Sequence, residues 1–180
     1  MTYPKKVLEI GWREWISLPE IGIGPLKAKI DTGARTSALH AVDLEPFSKD
    51  GEDWISFRVP LPGAAGREIR SAPLIAERAI KNTGGTPEIR FIVKTMLEIG
   101  KRHWHIEVSL ANRQNMEFEL IVGRTALREH NVVVHPGRSF LIQTPRPTDA
   151  PRRPKKGSGS VRRGTETRPI AALAMMEKKS

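Results

Sequence analysis

The sequence predicts an all-β domain with one short helical segment, followed by a basic tail that builds no core. Two observations point to the β class. Apolar and polar residues alternate in short segments, as in Leu8, Ile10 and Trp12 against Glu9, Gly11 and Arg13, which is the period of a strand with one buried face. Clusters of Gly, Pro, Asn and Asp separate these segments, as turns between strands do. A third observation sets a boundary. From Pro145 onward the chain holds five prolines, a Gly-Ser-Gly-Ser run and paired basic residues, too little apolar surface to offset the entropy of ordering. The expected organisation is a folded domain over residues 1–144 and a disordered Pro/Gly/Ser-rich tail over 145–180.

The elements follow in order. Residues 7–15 read as the first strand, ended by Leu18-Pro19, and Gly22-Ile23-Gly24-Pro25 as a turn. Leu26, Ala28 and Ile30 form a strand that feeds Asp31, and residues 37–44 form another, carrying His40 and Asp43. Residues 47–52 are a turn cluster. Residues 54–59 alternate as a strand, 61–67 are small and Gly-rich, and 68–74 return as a strand. Residues 82–87 form a loop. Residues 89–99 and 102–110 flank Gly100-Lys101 as a hairpin. After the polar loop 111–115, residues 116–122 form the strand that enters Gly123-Arg124. A short helix is expected over 125–129, and short closing strands over 132–134 and 140–142, within an otherwise all-β domain.

The chemistry centres on Asp31-Thr32-Gly33-Ala34. An acid at the end of a strand, followed by a hydroxyl and a glycine, presents one carboxylate on a tight loop. Gly33 lacks a Cβ and lets its N–H approach that carboxylate, and the Thr32 hydroxyl can brace the loop. Taken alone, Asp-Thr-Gly is also an ordinary surface turn. The apolar strand 120–122 running into Gly123-Arg124 is the second half of the pattern.

An Asp-Thr-Gly-Ala loop followed some ninety residues later by an apolar strand and Gly-Arg resembles the retropepsin-like aspartic peptidases. The wider text, with Glu14-Trp15, Leu18-Pro19, residues 28–40, Arg90, Arg113, Met116 and Gly123-Arg124, resembles their bacterial RimB-type branch, which has also carried the label ATP-dependent zinc protease. The likeness covers roughly residues 6–142. It implies a closed, barrel-like β-domain and an endopeptidase using two aspartates and a water. Only one Asp-Thr-Gly is present, so the resemblance implies a homodimer in which two copies of Asp31 meet. It further implies that Thr32, Gly33 and Ala34 support the loop and that Gly63, Ala64, Ala65 and Gly66 sit on a flap over the substrate. Family members are associated with ATP-grasp ligases that append glutamates. The expected substrate is accordingly a peptide or protein, such as a ligase of that kind or its glutamate-rich product. A non-catalytic peptide-binding module on the same fold is the alternative.

One departure from the usual retropepsin pattern carries a further expectation. Arg35 stands where an acid is usual, and Glu14 lies on the first strand where a base is usual. The charges look exchanged, so Glu14 of one copy is expected to pair with Arg35 of the other. The exchange leaves Arg124 without its usual acid.

Composition excludes several other classes. With no cysteine there is no disulfide frame, thiolate zinc site or cysteine nucleophile. His103 and His105 share one strand face, and His130 and His135 make a second pair. A catalytic zinc needs three protein ligands, so no metal or other cofactor is expected. His40 is a candidate cleft residue, with core packing as its other role. No phosphate-binding Gly-rich Lys-Ser/Thr loop occurs. No apolar run approaches the ~20 residues of a membrane span and no signal peptide is recognised, so the expected location is the cytoplasm, with no membrane contact. The chain carries a net +10. Ten Lys/Arg against three Asp/Glu fall after residue 144, so any contact with ribosome or RNA is expected from the tail, through charge alone.

Overall fold

The computed structural model describes residues 6–81, 85 and 87–142. The basic tail, its apolar segment near residue 170 and most of the 82–87 loop lie outside the described residues. Eleven strands form the described part: β1 (Leu8–Gly11), β2 (Arg13–Leu18), β3 (Ile23–Asp31), β4 (Ser37–His40), β5 (Val42–Lys49), β6 (Glu52–Arg58), β7 (Ile69–Lys81), β8 (Pro87–Ile99), β9 (Arg102–Ala111), β10 (Leu120–Gly123) and β11 (Val132–His135).

Six of them close a barrel in the order β2-β3-β10-β4-β9-β8, with Ser17 on β2 paired to Glu98 on β8. Closure satisfies both edges of the sheet. The barrel interior is apolar: Leu39, Val93, Leu97, Val108, Leu110, Leu120 and Val122 are at most 1% exposed. Beyond β8 the sheet continues outward as β7-β6-β5. Here Ile55, Phe57 and Val59 are fully buried while Ser56 and Arg58 between them are not, the alternation that the sequence shows. β1 and β11 form a separate parallel pair.

The fold is the all-β barrel of the sequence reading, with local differences. The first strand is broken at Trp12 into β1 and β2. Gly22 has φ +67 and caps a 3-10 turn over Pro19–Ile21, after which Ile23, Gly24 and Pro25 already belong to β3. The turn at 47–52 narrows to Asp50 and Gly51, both at positive φ, which is the two-residue hairpin geometry. The helix expected over 125–129 is a single 3-10 turn, Arg124–Ala126. The strand entering Gly123 is Leu120–Gly123 only. Residues 140–142 form no strand: Phe140 N–H donates to the Arg13 carbonyl, and the Leu141 and Ile142 N–H groups donate to the Glu14 carboxylate. No helix among the described residues is long and apolar enough to cross a membrane.

Candidate active site

β10 lies between β3 and β4, parallel to the first and antiparallel to the second, with Gly123 level with Asp31. The two strands that flank the Asp31 loop are therefore bridged by the strand that carries Gly-Arg. Asp31 ends β3. Its Oδ1 accepts the N–H of Gly33 and of Ala34, each at 3.1 Å. Two backbone donors on one oxygen fix the orientation of the carboxylate. The other oxygen, Oδ2, lies 3.6 Å from the Lys29 ammonium, and the Asp31 side chain keeps 29% of its surface exposed.

The loop is pinned from below by three consecutive residues. Gly123 N–H donates to Ser37 Oγ at 3.1 Å. A Cβ on Gly123 would lie 2.6 Å from the Thr36 carbonyl carbon, so only glycine allows the backbones this approach. Arg124 N–H donates to the Ala34 carbonyl and Thr125 N–H to the Arg35 carbonyl. The Thr125 hydroxyl donates to the Arg35 carbonyl as well, at 2.8 Å. Arg124 Nη1 reaches the carbonyls of Gly33 at 2.9 Å and Thr32 at 3.4 Å. These contacts supply the partners of Arg124 that the sequence left open. Thr32 is exposed, and its carbonyl, not its hydroxyl, makes the contact to Arg124.

Asp31 opens onto a cleft of about 1730 Å³. Trp12 and Lys29 line it next to Asp31, and Arg35 stands on the exposed loop. The β9–β10 connection contributes Arg113, and the β7–β8 hairpin contributes Arg78, Ile80 and Arg90. Arg113 is held at both ends. Its N–H donates to His40 Nδ1 at 2.9 Å, and its Nε donates to the Phe118 carbonyl at 3.4 Å. Burial lowers its guanidinium from the usual arginine range and the nearby Arg90 adds to this, while Glu119 and Asp31 pull the other way. Arg113 and Asp31 are thus close enough to feel one another's charge. Arg90 is anchored by Glu88 at 3.0 Å and Arg78 by Glu107 at 2.5 Å.

Several residues stand elsewhere than the sequence placed them. Glu14 does not pair with Arg35 of a second copy. Its side chain is 0% exposed within its own chain. Oε1 accepts the N–H of Gly11 at 2.7 Å and of Leu141 at 2.8 Å, and Oε2 that of Ile142 at 3.4 Å. A carboxylate already enclosed by its own backbone has no path to another chain. Gly63, Ala64, Ala65 and Gly66 do not border the Asp31 cleft. They lie in a compact 3-10 turn, Gly63–Arg67, where Arg70 Nη1 ties down the Ala65 and Glu68 carbonyls at 3.0 Å each. The hairpin that does border the cleft is β7–β8.

His40 is buried. Its Nδ1 lies 2.9 Å from the Arg113 N–H and 3.4 Å from the Ala111 carbonyl. His105 Nε2 lies 2.9 Å from Glu20 Oε1, and Glu20 Oε2 accepts Met96 N–H at 2.7 Å. His130 stacks on Trp104, and His135 Nδ1 accepts Gly137 N–H. Among the described residues no three His, Cys, Asp or Glu side chains converge as a metal centre requires. The sequence reading missed Lys29 as a site residue, although its place two residues before Asp31 puts both on one strand face. It used Arg90 and Arg113 only as marks of resemblance.

The family model described as "RimB-like: Retropepsin-like aspartic endopeptidase RimB" matches residues 9–145. Among curated relatives, a probable alpha-L-glutamate ligase of Desulfotalea psychrophila is 43% identical over 126 residues, covering 69% of this chain and 27% of that protein. One of the same description from Shewanella pealeana is 34% identical over 135 residues, covering 74% and 29%. The chain thus spans less than a third of the length of these relatives. A solved structure from Legionella pneumophila, described as of unknown function, superposes with a TM-score of 0.65 at 28% identity, covering 74% of this chain and 97% of that one.

Proposed function

Because this chain belongs to the RimB-like family of retropepsin-like aspartic endopeptidases, we propose that it hydrolyses peptide bonds with a dyad of two Asp31 side chains, one from each of two copies. The observation that carries the reading is the Asp31 loop. One carboxylate oxygen is fixed by two backbone N–H groups, the loop is pinned by Gly123, Arg124 and Thr125, and the other oxygen faces an open cleft. One such loop is half of an aspartic site. Two carboxylates brought together by a two-fold axis cannot both ionise and share one proton. The charged member takes a proton from the attacking water as oxygen adds to the carbonyl carbon. The neutral member donates to the developing oxyanion. Collapse of the tetrahedral species breaks the C–N bond, and the amine leaves with a proton.

Arg35 and Arg113 beside Asp31 offer cationic partners to an acidic peptide, whereas Lys29, Arg78 and Arg90 on the same wall already face Asp31, Glu107 and Glu88. The glutamate-ligase description of the relatives supports a glutamate-rich product, or a ligase of that kind, as the substrate. The β7–β8 hairpin takes the part of the lid. The test is cleavage of a glutamate-rich peptide by wild type and Asp31→Asn. Wild type should cleave, with specific activity falling on dilution as the dimer parts, and a chelator should change nothing. Wild-type cleavage by Asp31→Asn, or zinc-reversible loss with a chelator, would overturn the aspartic mechanism.

A further inference from the structure

A second, smaller cavity of about 350 Å³ lies where the segment before β1, the β8–β9 turn and the turn before β11 meet. It is lined by Lys6, Lys101, Arg102, His103, Trp104 and His130. Every ionisable side chain in that lining is basic. Glu98, paired with His103 across the β8–β9 ladder, is not part of it.

The site is partly built. Arg102 is tied by Nη1 to the His130 carbonyl at 3.4 Å and by Nη2 to the Lys6 carbonyl. Carbonyls fix the guanidinium in place but leave its charge unneutralised. Trp104 and His130 stack with centroids 4.5 Å apart and planes 19° apart. Trp104 Nε1–H donates to the Ala126 carbonyl at 2.8 Å, so one wall is a firm aromatic surface. Gly100, at φ +59, turns the chain into Lys101. Lys6, Lys101 and Arg102 therefore line one small cavity with no carboxylate in its lining. Their mutual repulsion is relieved by an anion, and one carboxylate would bring only a single charge. A phosphoryl anion brings two or more and presents the oxygen geometry that an arginine fork matches.

We propose that this pocket binds a polyvalent phosphoryl anion. The site is separate from Asp31 and does not depend on the peptidase reading, although His130 lines both cavities. The test titrates the full chain with pyrophosphate by calorimetry, with succinate as a dicarboxylate of equal or lower charge. Saturable one-to-one binding of pyrophosphate, at least tenfold tighter than succinate, is expected. Lys101→Glu should weaken it roughly tenfold, as loss of one charge-assisted contact does. Lys94→Glu, on exposed β8 outside the pocket, makes the same change in net charge and should weaken it less than twofold. Asp31→Asn should bind as wild type does. No saturable binding, equal binding of succinate, or equal effects of Lys101→Glu and Lys94→Glu would overturn the proposal.

Discussion

Glu14 and Asp31 are both carboxylates held by backbone N–H groups, and they sit in opposite circumstances. Glu14 is 0% exposed and takes three N–H groups, from Gly11, Leu141 and Ile142. Asp31 takes two on a single oxygen and leaves the other toward Lys29 and the cleft. An enclosed carboxylate is costly unless its lone pairs are satisfied. Glu14 meets that cost by stitching residues 141–142 to the β1–β2 corner, beside the stacked Trp15 and Phe140. Asp31 is fixed without being enclosed. The difference teaches that two carboxylates of the same chemistry part by their unspent coordination: Glu14 has none left, and Asp31 keeps one oxygen open to the cleft.

Substitution can break the comparison at either end. The largest expected effect is that of Asp31→Asn on catalysis. Asparagine still accepts the Gly33 and Ala34 N–H groups, so melting should move by only a few degrees. Peptide cleavage should fall by about a hundredfold or more, the contribution of a positioned proton-transfer group. Glu14→Ala should do the reverse. It leaves three enclosed N–H donors without a partner, at about 1–3 kcal/mol each. Urea unfolding should show a loss of about 3 kcal/mol or more, and Glu14→Gln a smaller one. If Glu14→Ala unfolds like wild type, the carboxylate is not the clasp described here.

Next in size is Gly123→Ala, whose new methyl meets the Thr36 backbone at 2.6 Å. Overpacking of this kind costs about 1–3 kcal/mol, and because the strain falls on the Asp31 loop, cleavage should drop along with stability. Arg124→Ala removes the bonds to the Thr32 and Gly33 carbonyls. On an exposed loop this should cost about 1 kcal/mol in unfolding, with a clear loss of kcat, since the carboxylate is no longer held in register. The smallest effect is expected at the Gly63–Arg67 turn. Ala64→Ser should leave KM within about twofold, as a surface change of under 0.5 kcal/mol implies, whereas Arg90→Ala on the cleft wall should raise KM for an acidic peptide. The opposite ranking in steady-state kinetics would return the lid to residues 63–66.

Much of the fold was legible because strand period and turn chemistry are short-range. The alternation around Ile55 and Phe57, the apolar run 120–122 and the Gly100-Lys101 hairpin all follow from residues a few positions apart. Boundaries slipped where tertiary pairing overrode a local cue. Gly24 and Pro25 read as a turn yet enter β3, because Ile23 and Leu26 on either side of them pair with Leu18 and Ile16 of β2. Residues 140–142 read as a strand yet pair with no strand, because Glu14 takes the N–H groups of Leu141 and Ile142. At the site, Asp31, Gly33 and the Gly123-Arg124 pair could be found from spacing. The cations on the cleft wall could not be assembled from it.

By itself the sequence determined the β class, the single Asp-Thr-Gly and the need for a glycine near it, since these depend on backbone freedom over three or four residues. It also carried the family resemblance, through motifs that keep their spacing along the chain. Only the tertiary structure decided which groups answer which. Glu14 reaches a partner 127 positions away and Arg124 one 91 positions away. Exchanged charges on paper suggested a bridge between copies, but chain closure had already surrounded Glu14 with backbone. A hydrogen bond depends on where two segments meet in space, and that is set by how the whole barrel closes, not by the residues on either side of the donor.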